Sequence, residues 1–220
     1  MLKVVKDSAT ENRTAALNQL HAIVVTAPSA LRERLQSFKG KELVHTCAGL
    51  RSGEITTPLA AAKLTLRTLA RRIQQLDQEL KETTAQLDQL TMQLCPELRH
   101  AYGVGVDITA TLVVAVGDNP ERMTSEASFA ALCGVNPLPA SSGKVVRHRL
   151  NRSGNRKANC ALHRIVICRL QRHQQTREYV DRRTREGRSM KEIIRCLKRF
   201  VAREVFGILR GGPAVRTAAA

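Results

Sequence analysis

Between Pro139 and Cys160 the chain reads PASSGKVVRHRLNRSGNRKANC. Ser141 and Ser142 stand directly before Gly143. Lys144, Arg147, His148, Arg149, Arg152, Arg156 and Lys157 follow without an acid among them. A cationic run of this kind attracts a polyphosphate by charge. A hydroxyl set inside it is a potential nucleophile toward phosphorus. The same serines also make ordinary turn residues, and the residues alone leave both readings open.

The flanking elements must hold this segment. Pro137 and Pro139 keep the chain extended into the Ser-Ser-Gly turn, and Lys144–Leu150 alternates as a short strand or hairpin arm does. Ser153-Gly154-Asn155 reads as a turn and N-cap for a helix from Arg156, its apolar face Ala158, Ala161, Leu162, Ile165 and Cys168. Upstream, Tyr102-Gly103-Val104-Gly105 opens another helix in the manner of a helix-hairpin-helix. Gly103 and Gly105 permit a tight turn, and the helix N-terminus behind them either binds a phosphate or merely joins two helices. Ser125 caps a short helix closed by Gly134. Arg177–Arg188 is a dense charge run suited to phosphate contact. Ser189 and Glu192 form a capping box that opens a last amphipathic helix, and a frayed tail follows from Gly211.

The N-terminal half is organised differently. Residues 8–25 have helical periodicity, Ser29 can cap a short helix holding Leu31 and Leu35, and Phe38–Gly53 is a looser stretch. Leu66, Leu69, Ile73, Leu76, Leu80, Thr83, Leu87, Leu90 and Leu94 then repeat in steps of three and four. A strict repeat over about four heptads predicts a coiled coil ended by Pro96, pairing with another chain or with a helix of its own. The fold class is therefore mainly α. N-terminal helices (1–58) precede a coiled coil (59–96) and a helical C-terminal domain (97–210) with a helix-hairpin-helix-like motif and a short basic β-hairpin or loop. Residues 211–220 are expected to be a disordered tail.

Of a net charge of +17, +16 lies beyond residue 142, where 21 Lys and Arg meet 5 acids. The default partner of such a domain is nucleic acid. With no Trp and only 3% aromatic residues, phosphate contact rather than base stacking is the expected main mode of binding. No apolar run approaches the roughly 20 residues that span a bilayer. Six scattered cysteines without a C-x-x-C pair read as reduced and mostly core-filling, in a cytoplasmic, nucleoid-associated protein. Cys160 and His163 lack the second pair a zinc site needs, so no metal site is assigned.

The stretch GVGVDITATLVVAVGDNPERMTSEASFAALCGVNPLPASSGKVVRHRLNRSGNRKANCAL, continued by KEIIRCLKRFVAREVF, resembles the C-terminal domain of the IS110/IS116 family of bacterial insertion-sequence transposases. The resemblance runs back through the leucine repeat and covers nearly the whole chain. It implies a DNA recombinase with a serine nucleophile, a structured guide RNA, and an N-terminal ribonuclease-H-like domain whose four carboxylates hold Mg²⁺. It assigns the nucleophile to Ser142, with Ser141 as the fallback. No carboxylate set with that spacing occurs before residue 60, so the chain is expected to lack the acidic domain and to bind no Mg²⁺ itself.

The expected function is thus strand cleavage and exchange by a transposase, with DNA and guide RNA as partners and homo-oligomerisation through 59–96. Lys144, Arg147, Arg149, Arg152, Arg156 and Lys157, with Gly103 and Gly105, are the expected nucleic-acid contacts. The alternative is a non-catalytic helical nucleic-acid-binding module dimerised by a coiled coil.

Overall fold

The computed structural model describes residues 1–117, 123–140 and 148–211. Its contacts divide the chain into two units, Met1–Gln86 and Leu87–Ala220. Helices make up most of the described structure, and no described helix is long and apolar enough to cross a membrane.

The first unit contains α1 (Leu2–Thr26), α2 (Ser29–Leu35), α3 (Gly40–Ala48) and most of α4 (Pro58–Leu94). Ala16, Leu20, Leu31, Leu35, Leu43, Val44 and Cys47 close around Leu66, Ala70 and Ile73 of α4. Burial pushes the Cys47 thiol up to about 11, so it is an inert apolar group rather than a reactive thiol. Arg13 of α1 pairs with Asp77 of α4.

Three expectations for this part change. Phe38–Gly53 contains the helix α3, whose Leu43, Val44 and Cys47 are buried; its three glycines suggest a loop, but burial of that apolar face outweighs them. Ser29 begins α2 instead of capping it, because Pro28 occupies the N-cap. The buried stripe of α4 passes through Ala70 and Thr91, beside the expected Leu69 and Leu90. Ala permits a closer helix approach than Leu, and packing chose the small residue. The first half of the leucine repeat thus packs inside this unit, while Leu90 and Leu94 are 41% and 47% exposed.

The second unit holds the end of α4, α5 (Pro96–His100), α6 (Val106–Val116), α7 (Glu126–Leu132), a two-residue ladder of β1 (Leu138–Pro139) with β2 (His148–Arg149), α8 (Arg156–Arg172), α9 (Gln174–Arg185) and α10 (Met190–Gly211). α10 is helical for a legible reason. Ser189 and Glu192 make the expected capping box, and Ile193, Leu197, Val201, Val205 and Leu209 recur every fourth residue on one buried face. That face packs on α8 and α7 around Phe129, Leu162, Ile165 and Val166. Each such side chain contributes about 1.5–3 kcal/mol through burial.

α8 departs from its expected face. Cys168 is exposed, while Val166 and Arg169 turn inward. Cys160 is exposed as well, so the cysteines are less core-filling than expected; all six are free. Arg169 is only 8% exposed. Its guanidinium donates from Nε to the Tyr102 carbonyl at 2.9 Å, and from both terminal nitrogens to Glu204 at 2.6 and 2.7 Å. One side chain therefore ties α8 to α10 and to the turn between α5 and α6. A fork-shaped donor matched to a carboxylate is the geometry that makes burying this cation tolerable.

Glu126 at the start of α7 holds Arg199 and Arg203 of α10 in a second joint. Desolvation would raise its carboxyl, but the hydrogen bonds and charges of Arg203 and Arg199 prevail and hold it below the usual range. Since the folded form titrates below the unfolded one, this joint is fully formed above the ordinary Glu range. It weakens as the pH falls through the depressed range.

Replacing Arg169 with Ala removes charged hydrogen bonds and leaves the Tyr102 carbonyl without its donor. The expected loss is about 2–3 kcal/mol of unfolding free energy, read from urea melts of the second unit. Glu126→Gln should lower the neutral plateau of the stability–pH curve and leave its acid end, where Glu126 is protonated, little changed, so that the acid limb flattens. An unaltered acid limb would exclude Glu126 as its source.

Candidate nucleic-acid interface

Ser141, Ser142, Lys144 and Arg147 lie outside the described residues. The structure does describe what bounds them. Leu138 pairs with Arg149 and Pro139 with His148 in the antiparallel ladder, so the described residues on either side of 141–147 meet at one place. Of the expected arm Lys144–Leu150, the described part contains the strand His148–Arg149, and residues 144–147 lie outside the described residues.

An amide cluster reinforces that ladder. Asn151 donates from Nδ2 to Asn136 Oδ1 at 2.5 Å, across the base of the segment. The Asn151 Oδ1 accepts from the Ser153 amide and hydroxyl at 2.8 and 2.7 Å, a local Asx turn. Asn155 caps α8, its Oδ1 accepting from the amides of Lys157 and Ala158, and its own amide donates to the Leu132 carbonyl. One turn later Asn159 donates to the carbonyls of Cys133 and Gly134 at 2.8 and 3.1 Å. Its oxygen accepts from the buried ammonium of Lys198 at 2.8 Å. Burial holds that ammonium below the usual lysine range.

Gly154 explains how closely these parts meet. Its φ of +90° is left-handed, and a Cβ there would lie 2.6–2.9 Å from backbone atoms of Gly134, Leu132 and Ala131. The segment after the basic loop is thus seated directly on the C-terminal end of α7.

Arg149, Arg152, Arg156 and Lys157 are all exposed on this seat. Arg149, Arg152 and Arg156 have no acidic partner among the described residues. Two cations occupy the first turn of α8, the helix end at which the backbone dipole already presents positive potential. An acid there would stabilise the helix; cations instead cost a few tenths of a kcal/mol or more each and concentrate positive potential outward. The chemistry available is capture and charge compensation of a phosphate. Among the described residues no three His, Cys, Asp or Glu side chains come together, so none of them fits a metal ion.

The Gly103–Gly105 turn lies elsewhere on α8. Gly103, at φ +81°, packs with its Cα face toward Cys168 and the Ile165 carbonyl, where a Cβ would be 3.4 Å away from both. Ile165 is nine residues beyond Arg156, about 14 Å along the helix. Gly105 is exposed and forms the N-cap of α6 without a side-chain cap. Asp107 already supplies a carboxylate in that first turn and meets Arg164 at 3.4 Å. Asn136, Asn159, Lys198 and Arg169 were missed in the sequence. Only Asn155 and Asn151 carry a local signal, the Asn-x-Ser and Gly-Asn turns.

Gly154→Ala should lose about 3 kcal/mol, since it meets both a left-handed backbone and three close backbone atoms. Gly105→Ala, facing open space with an ordinary φ, should lose under about 1 kcal/mol. Thermal or urea melts of the two variants side by side check the contrast; equal losses would show that the seat on α7 does not hold the loop.

With this geometry in place, comparison with known proteins is informative. The family model described as Transposase IS116/IS110/IS902 family matches residues 95–181, a span that includes the ladder, the amide cluster and α8. An uncharacterized 43.6 kDa protein of insertion element IS110 from Streptomyces coelicolor is 28% identical over 148 residues. The match covers 66% of this chain and 36% of that protein, so the chain spans about a third of the length of this curated relative. Over residues 95–181 the chain is thus similar to the transposase domain of the IS116/IS110/IS902 family.

Proposed function

We propose that this chain serves in the movement of an insertion element, as a DNA-binding recombinase subunit whose nucleophile is Ser142, with Ser141 as the second candidate. The observation that carries this reading is the anchored base of residues 140–147. Both ends are tied by the β1–β2 ladder and by Asn151–Asn136, beside the exposed Arg149, Arg152 and Arg156. Fixing the residues on both sides of 141–147 restricts where the two serine hydroxyls can go, and such positioning is how a weak nucleophile gains effective concentration.

In the proposed step a DNA phosphodiester is held by Lys144, Arg147, Arg149 and Arg152, with Arg156 and Lys157 at the helix end. The serine Oγ attacks phosphorus as the bond to one strand's oxygen breaks. The serine proton is released and the departing oxygen takes one up. The guanidinium groups offset charge that grows on the phosphoryl oxygens. The phosphoserine link keeps the bond energy for rejoining to a second strand. Guide RNA is a partner in this reading, as the resemblance implies. Mg²⁺ belongs to a carboxylate domain of the kind the family resemblance implies, and the described residues offer it no ligand set. Homo-oligomerisation would use the exposed Leu90 and Leu94 face of α4.

Two measurements separate the catalytic reading from a purely binding one. Binding to duplex DNA should fall steeply with salt. Arg152→Gln with Arg156→Gln should reduce the slope of log K against log salt by about 1.8, from about 0.9 per phosphate contact. Incubation with element-end DNA, structured element RNA and Mg²⁺ should give a covalent protein–DNA adduct that is lost in Ser142→Ala and kept in Ser141→Ala. An adduct that survives both substitutions ends the assignment. Salt-dependent binding without any adduct supports the non-catalytic module instead.

A further inference from the structure

Away from the loop, α8, α9 and α10 enclose a cleft of about 220 Å³ lined by Val166, His173, Thr176, Tyr179, Phe200 and Val201. That is smaller than the roughly 300–1,000 Å³ of sites for drug-sized ligands, and suits a single planar ring system. Its floor is apolar, but its rim is not an ordinary core edge. Tyr179 and Phe200 meet edge to face, with centroids 5.4 Å apart and planes at 89°, and Phe200 is 46% exposed. His173 stands opposite, its ring 5.1 Å from Tyr102. Its Nδ1 meets the Thr176 hydroxyl at 2.9 Å, which leaves Nε2 without a partner among the described residues.

The charge around the cleft selects the occupant. The Arg182 guanidinium lies 5.4 Å from the centre of the Tyr179 ring. Arg172 and Arg177 are exposed and have no acidic partner among the described residues. An apolar side chain of a protein partner could fill the floor, but it has no use for the guanidinium over Tyr179 or for the exposed arginines adjacent in sequence to His173 and Thr176. A nucleobase uses both, since its π-face stacks on aromatic rings and its attached phosphates meet the arginines. Bases inside a duplex are already stacked and cannot enter.

We infer that this cleft takes one unpaired base of a single-stranded nucleic acid whose phosphates pass Arg172, Arg177 and Arg182. The inference rests on the nucleic-acid binding proposed above and adds a site that reads single-strandedness. His173 Nε2 supplies one hydrogen bond to the edge of the base, and Tyr179 with Phe200 supplies the stacking surface.

The chain has no Trp, so its intrinsic fluorescence comes from Tyr102 and Tyr179. In Tyr102→Phe, which keeps the ring against His173, Tyr179 is the sole emitter. Titration with oligo(dT) or oligo(U) of about 12 nucleotides, a length within known single-strand site sizes, should quench it. A duplex at the same phosphate concentration should not. Phe200→Leu and Tyr179→Leu should weaken single-strand binding about ten-fold or more. Duplex binding should stay within about two-fold, because its phosphate contacts are unchanged. The DNA and RNA arms decide which strand the cleft prefers. Unmoved Tyr179 emission at saturation, or single-strand and duplex affinities that fall together, overturns the inference, and the fluorescence arm needs no substitution in the cleft. Failure of the intact chain to bind any nucleic acid would instead overturn the broader reading.

Discussion

The joint on which the second unit depends is the buried guanidinium of Arg169, held between Glu204 and the Tyr102 carbonyl. A domain carrying this much positive charge repels itself, and folding must bring its helices together against that repulsion. Four of its acids sit where helices meet. Glu204 joins α10 to α8, Glu126 joins α7 to α10, Asp107 joins α6 to α8, and Asp88 meets Arg99 between α4 and α5. None of these four carboxylates faces Arg149, Arg152 or Arg156, which have no acidic partner among the described residues. The same shortage of acids that makes the fold demanding leaves its surface with the positive charge on which the proposed phosphate binding rests.

Much of the scaffold was legible because it follows local rules. The caps at Ser125, Asn155 and Ser189, the stop before Pro28, the long helix through the leucine repeat and the stripe on α10 each rest on one or two neighbouring residues. What stayed hidden depends on residues far apart in sequence. Arg169 belongs to a basic-looking helix face until Glu204 is placed opposite it. Asn159 looks like one more polar residue until the Cys133 carbonyl and the Lys198 ammonium converge on it. The glycines of Phe38–Gly53 suggested a loop because propensity speaks for each residue separately, whereas α3 forms through the shared burial of Leu43, Val44 and Cys47.

The leucine repeat teaches a related lesson. Periodicity identifies a face but not its partner. Here Leu66, Ala70 and Ile73 face α1–α3 of their own unit, while Leu90 and Leu94 stay exposed. A repeat that looks uniform in sequence is therefore divided between internal packing and a free apolar edge. Only the latter part is left to serve association.

Affinity and selectivity have separate sources in this chain. Uncompensated arginines attract any phosphate backbone, so in the proposed function Arg149, Arg152 and the start of α8 would confer strength without sequence preference. Reading base identity needs donors and acceptors set against base edges. Within the cleft of α8, α9 and α10, His173 Nε2 is the group free to act in that way, and a lone imidazole nitrogen distinguishes few bases. The aromatic rings there tell stacked from unstacked bases rather than one base from another. In the proposed function a protein equipped in this way would recognise charge and strandedness well and sequence poorly. Faithful choice of a DNA target by such a surface would then have to come from base pairing, which is why the proposed recombinase is partnered with RNA.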